Sequence, residues 1–337
     1  MTNILVLSAG TRDKVVEFFK KEIGEDGKII ATDCSNIAPA IYKADKAYIV
    51  PPINQDGYID KIVDICRKEN VTGCFSLIDP ELSLIAKEKD RLQAAGCTPI
   101  VSSYDLCELS LDKYRMYELL GSDNNTWKNG TDEKLFKAAH CYLSVDEFHK
   151  ARAKGEVDFP VFVKPQNGSA SININKISSD EELNTLFDIY DGLMIQEFMK
   201  GQEYGADVYI DMISGRCTAI FLKKKIKMRA GETDKSVSVK DGALFEKIAK
   251  FVENCGFRGM IDIDLFKDGE DWYLSEVNPR FGGGYPHAYM CGVNMPRYVI
   301  NNLNGIENPV NIGDYEEGIY MMKYNEIKIL KEDELVE

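Results

Sequence analysis

Histidine and tryptophan are scarce in this 337-residue chain, with three of the first and two of the second. None of the histidines (His140, His149, His287) stands at metal-ligand spacing from a cysteine, which excludes a zinc site. The nine cysteines include no Cys-x-x-Cys pair, and an odd number cannot all pair internally, so the reading is reduced thiols in a cytoplasm. No run of about 18 apolar residues occurs, so no membrane-spanning helix is expected. The first residues lack the charged stretch and small-residue cleavage site of a signal peptide. Positive charge is also short: 41 Lys and Arg face 55 Asp and Glu, a net −14, which argues against non-specific nucleic-acid binding. One basic run, residues 223–229 (KKKIKMR), stands against that background as either a solvated face or a phosphate contact.

The N-terminal hundred residues alternate between strand and helix. Strands are expected at 4–7, 27–33 and 71–77, and helices at 13–23 and 60–70, which implies an open parallel sheet. Glycine is missing where a dinucleotide cofactor needs it. The loop Ser8-Ala9-Gly10-Thr11-Arg12 has one glycine where the fingerprint needs three, so a nicotinamide-dependent oxidoreductase is disfavoured even though Asp33 lies at a suitable distance. Asp79 and Glu81, at the end of the third strand, either face a ligand or cap the helix that opens near Pro80.

The richest stretch is residues 272–284, WYLSEVNPRFGGG. A strand there delivers Glu276 and Asn278 to one face, because residues i and i+2 of an extended chain point the same way. Two hard oxygen ligands on one face suit a magnesium ion carrying phosphates. Pro279 ends the strand, Arg280 adds a planar fork suited to phosphate or carboxylate, and residues 282–284 allow close backbone approach. Upstream, residues 259–266 read as a second strand joined to the first by a turn at 267–271. That hairpin brings Asp262 or Asp264 beside Glu276 and Asn278.

Glu276-Val277-Asn278-Pro279-Arg280 resembles the signature of the ATP-grasp superfamily, in the group similar to the carbamoyl-phosphate synthase large subunit. The resemblance implies an α/β (α+β) ATP-grasp fold behind an N-terminal Rossmann-like parallel-sheet domain. We expect the N-terminal domain at 1–105, a lid subdomain with its linking helix at 106–195 and a central subdomain with the metal site at 196–337. It also implies that Asp264, Glu276 and Asn278 hold Mg2+ (or Mn2+). Lys113, at the start of a helix over 111–120, matches a phosphate lysine. Lys164 matches a second nucleotide lysine, and the following residues Gly168, Ser169 and Ser171 match the lid loop, here poor in glycine with Asn173 where a second glycine often stands. Gln196, Glu197, Phe198 and Met199 match the adenine connection, and Glu203 the acceptor of the ribose hydroxyls. Arg280 is expected to stabilise the transferring phosphoryl group or acyl phosphate. Lys223 and Arg229 resemble the basic strand-loop that reaches the γ-phosphate and substrate.

As a class, such enzymes phosphorylate a carboxylate with ATP, release ADP, and let an amine, ammonia or a thiol attack the acyl phosphate. The expected partners are therefore a small-molecule carboxylate and amine, the acid being an amino acid, a peptide or a sugar acid, with no nucleic acid and no membrane. A homodimer is neither favoured nor excluded. His287, beyond the glycines, is read as a structural hydrogen-bonding group or as a proton acceptor. The competing function is a non-catalytic nucleotide-binding or regulatory protein on the same fold, which would be expected to have lost metal ligands or Arg280.

Overall fold

The computed structural model describes residues 1–127, 133–168 and 175–337. Three sheets organise them. The first is parallel and five-stranded, in the order Lys46–Ile49, Gly27–Asp33, Thr2–Leu7, Gly73–Ser76 and Thr98–Pro99. Its central strand Thr2–Leu7 is buried along its whole length, because helices cover both faces of such a sheet. The helix Asp13–Ile23 covers one face with Val15, Val16, Phe18 and Phe19. The helix Tyr58–Glu69 covers the other with Ile62, Val63 and Cys66.

The second sheet is antiparallel, in the order Cys141–Tyr142, Leu193–Glu197, Val161–Pro165 and Asn175–Ile177. Period-two alternation governs Val161–Pro165: Val161 and Val163 join a small core with Phe148, Leu183 and Ile195, leaving Phe162 and Lys164 for the opposite face. The third sheet has six antiparallel strands, Asp271–Asn278, Gly259–Asp268, Gln202–Ile210, Cys217–Arg229, Glu232–Val239 and Tyr320–Met322. One face, carrying Ala206, Val208, Ile220 and Leu222, shares a core with Leu244, Ile248 and Phe251 of the helix Gly242–Cys255. The other face is the polar one and carries the site.

The helix expected over 111–120 is Lys113–Gly121, and a separate helix, Tyr104–Leu111, ends just before it. Of its two candidate caps, Ser110 and Asp112, Asp112 is the one that accepts from the backbone N–H groups of Tyr114 and Arg115. An aromatic cluster ties the parallel-sheet domain to the six-stranded sheet. Phe281 packs edge-on against Phe19 at 5.8 Å and Phe75 at 5.5 Å, and Phe18 stacks on Tyr289 at 3.8 Å. Among the described residues no helix is long and apolar enough to cross a membrane.

Candidate active site

The polar face is fixed by register. Asp264 lies opposite Glu276, and Asp262 opposite Asn278, across the hairpin that turns at Gly269 and Glu270. On the next strand Gly205 pairs with Asp264 and Asp207 with Asp262, and on the one after, Lys223 pairs with Gly205. Alternation then puts Glu203 and Lys225 on the same face. A single surface thus holds Glu276, Asn278, Asp264, Asp262, Glu203, Asp207, Lys225 and Lys223.

Lys225 is the hub. Its ammonium donates to Glu203 Oε1 at 2.7 Å and to Asp264 Oδ1 at 2.6 Å, with its side chain only 4% exposed. Burial would lower its pKa, but Asp264 and Glu203 hold it well above the ordinary lysine value. Burial raises Asp264, and the like charges of Asp262, Glu203 and Glu276 push it further up while Lys225 opposes them. Crowded carboxylates that need a cation are a fitting seat for a hard divalent ion, so Asp264, Glu276 and Asn278 suit magnesium. Among the described residues no three acidic, histidine or cysteine side chains are already gathered as a metal cage. Lys225 sits between two of the carboxylates instead.

The other candidates fall in two groups. Lys164 faces the cleft from the four-stranded sheet, donating to Gln196 Oε1 at 2.7 Å. Burial lowers its pKa, and the charge of Glu276 across the cleft works against that. Gln196 also donates to Cys141 Sγ at 3.6 Å. Glu197 is tied to His140 through its backbone and its carboxylate. Phe198 packs on Phe162 with the Lys176 ammonium 4.2 Å above its ring, and Met199 is half-buried beside it. Lys113 donates to the carbonyl of Gly168 at 2.5 Å, and Gly168 has φ +113°, a backbone state that favours glycine. Ser169 and Ser171 lie outside the described residues.

The basic residues depart from expectation. Lys223 is engaged within the protein. Its side chain is 1% exposed and ion-paired with the equally buried Asp207, because glycine opposite it at 205 lets it sink onto the sheet. Arg229 lies at the far end of its strand, half-exposed and paired with Asp234 at 3.1 Å. Arg280 is engaged: Nε and Nη2 donate to Asp79 Oδ2 at 3.2 and 3.1 Å, and Nη1 to the Phe281 carbonyl. Asp79 therefore links the two domains and makes no cap bond. Glu81 is fully buried, bonded to Tyr58 and Ser76, and burial raises its pKa to about 8. His287 is structural, bonded to Ser236 and the Ile319 carbonyl, and burial lowers it to about 4. The glycines at 282–284 serve the protein's own side chains: a Cβ there would meet Asp262, Glu232 and Lys223 at 2.5, 2.6 and 2.8 Å.

Sequence reasoning missed two residues. Lys225 was legible by alternation with Lys223, but only the strand register shows which of the pair reaches the carboxylates. Arg12 follows the central parallel strand, and its Nη2 meets Glu232 at 2.8 Å across the domain junction.

A parallel-sheet domain joined to two antiparallel sheets, with lysines and carboxylates facing each other between the sheets, defines a class of nucleotide-dependent enzyme. Comparison with known proteins matches two stretches of the chain to families. Residues 190–327 match the family described as "ATP-grasp in the biosynthetic pathway with Ter operon", and residues 4–100 match "PylC-like, N-terminal domain". Residues 190–327 therefore carry an ATP-grasp domain behind a PylC-like N-terminal domain, and ATP-grasp ligases use ATP with Mg2+. It is 24% identical over 321 residues to a carbamoyl-phosphate synthase of Methanobrevibacter smithii, covering 90% of this chain and 82% of that one. The biotin carboxylase domain of Hydrogenobacter thermophilus 2-oxoglutarate carboxylase, solved with MgADP and bicarbonate, superposes with TM-score 0.72 at 17% identity, over 95% of this chain and 73% of that one. An L-amino acid ligase from Bacillus licheniformis superposes with TM-score 0.66 at 16% identity, over 92% and 75%. Those two likenesses establish the fold.

Proposed function

We propose that this chain is an ADP-forming ligase that uses ATP to activate a carboxylate as an acyl phosphate, which an amine or ammonia then attacks. The observation that carries the reading is the facing arrangement of Lys164 on one sheet and Asp264, Glu276 and Asn278 on the other, with Lys225 among the carboxylates. Lys164 and Lys113 hold the phosphates, and Phe198 and Met199 line the base. Asp264, Glu276 and Asn278 hold magnesium, which when bound offsets charge on the phosphates. Lys225, released from its carboxylates, is the mobile cation nearest the transferred group. Arg280 orients the domain junction through Asp79 and stands beside the acceptor. We read residues 1–105, 106–195 and 196–337 as the three working units; three separate sheets support three units, with the strand Leu193–Glu197 running across the second boundary.

The acid is read as an amino acid, a peptide or a sugar acid; among the relatives are D-alanine–D-alanine ligases, at 23–28% identity over part of the chain. The test is ADP release with MgATP and a panel of amino acids, sugar acids and ammonia, alongside calorimetry with MgADP. MgADP binding with substrate-dependent ADP release is expected. Failure to bind MgADP would end the proposal, and binding without turnover on any acid would favour a regulatory protein.

A further inference from the structure

In the parallel sheet the strand order runs outward in two directions from the neighbouring strands Thr2–Leu7 and Gly73–Ser76. The chain leaves their carboxyl ends as residues 8–12 and 77–79. A crevice at such a reversal of strand order is where open parallel sheets bind ligands. Side chains from the six-stranded sheet stand at its mouth: Arg280 bonded to Asp79, and Glu232 paired with Arg12.

Arg12 is incompletely satisfied there. Nη2 is taken by Glu232, but Nη1 is buried with no hydrogen-bond partner. Buried charged donors are rarely left so without a reason. Glu232 cannot turn to serve it, because its second oxygen accepts from Lys323 at 2.8 Å. The Arg12 side chain as a whole remains 21% exposed. The loop that carries it is held firmly. Gly10 N–H donates to Asp33 at 2.8 Å, and Ser8 adopts φ +46°, a strained state for a residue with a side chain.

We infer that Arg12 is a substrate-recognition residue whose free Nη1 receives a carboxylate on the acceptor substrate other than the one that reacts, an inference that rests on the ligase reading. Charge balance selects that chemistry. Arg12, Arg280 and Lys323 are already met by Asp79, Asp262 and Glu232. With three cations already matched by three carboxylates, one further carboxylate adds a single negative charge to Arg12 Nη1, whereas a phosphate dianion would add two.

Malonate is the probe, with inorganic phosphate as the competing anion, titrated at constant ionic strength into full-length protein holding MgADP and read by thermal melting. Wild-type protein should show a saturable rise in Tm with malonate. Arg12→Lys keeps a cation for Glu232 but loses the planar fork. Its malonate midpoint should rise at least tenfold, while Arg67→Met, at an exposed arginine on the helix Tyr58–Glu69, should leave the midpoint unchanged. Calorimetry should find MgADP affinity unaltered in Arg12→Lys, which also shows that the variant is folded. No saturable response in wild-type protein that binds MgADP, an unshifted midpoint in Arg12→Lys, or a stronger response to phosphate would each overturn the assignment. Loss of MgADP binding in the wild type would instead sink the ligase reading.

Discussion

Lys225→Met is the most direct probe of the site, because it removes a charge and little volume. The ammonium is nearly inaccessible, whereas the carboxylates it bridges, Glu203 and Asp264, keep side-chain exposures of 29% and 23%. Removing one member of a buried ion pair costs about 3–5 kcal/mol. Water can reach these two carboxylates and recover part of that, as it does for exposed pairs, so we expect a loss of about 2–3 kcal/mol. For a chain this long that corresponds to a fall in Tm of roughly 3–4 °C. Magnesium should then take the place of the ammonium. A ligand at a hundred times its Kd stabilises by about 2.7 kcal/mol, enough to restore most of the loss. Calorimetric melts of both proteins with rising MgCl2, ionic strength held by NaCl, make the comparison. The variant should gain clearly more than the wild type, where the lysine competes. Equal gains in the two proteins, or a variant that melts like wild type without magnesium, would refute the assignment of these carboxylates as the cation's seat.

Glu276→Ala should abolish ADP formation in the panel assay while leaving the melting profile close to wild type, since the side chain is half-buried and serves the site. Lys164→Ala should weaken a non-hydrolysable ATP analogue by roughly 1–3 kcal/mol in calorimetry, the scale of a hydrogen bond to a charged group; an unchanged affinity would make Lys164 structural. Glu81→Gln should alter the pH dependence of stability. The folded-state pKa of about 8 lies above the unfolded value, so the folded chain retains a proton that the unfolded chain has released. Stability from that proton is present below about pH 4, the unfolded range, and is lost as pH rises through about 8. Denaturant melts should therefore move in favour of Glu81→Gln as pH rises across that window, and a gap independent of pH would mean that Glu81 is ionised throughout.

Much of the fold was legible in local pattern. The helix Asp13–Ile23 and the strand Gly27–Asp33 fall where periodicity puts them, and the pairing of Asp264 with Glu276 follows from one short turn and alternation. The edge strand Tyr320–Met322 was not, because three residues carry too little pattern and its place depends on Glu232–Val239 beside it. The basic run was legible as a group and misleading in detail. Lys223 and Lys225 share a face and both lie against Gly205; what separates them is the partner across the sheet, Asp207 for the first and Glu203 with Asp264 for the second. Arg280 looks free in sequence because its partner Asp79 is 201 positions away.

The run at 282–284 carries a consequence for how this chain can vary. The backbone at these three glycines does not demand glycine by its own conformation, since none has positive φ. The demand comes from Asp262, Glu232 and Lys223, whose charged ends lie where each Cβ would stand. Tolerance at each glycine is therefore set by a distant partner: shortening Glu232 would free position 283 for alanine, whereas no change within the loop itself would. A side chain at each glycine is accommodated only when its partner is shortened and that partner's ion pair is given up, so the loop and the charges it supports form one inheritable unit.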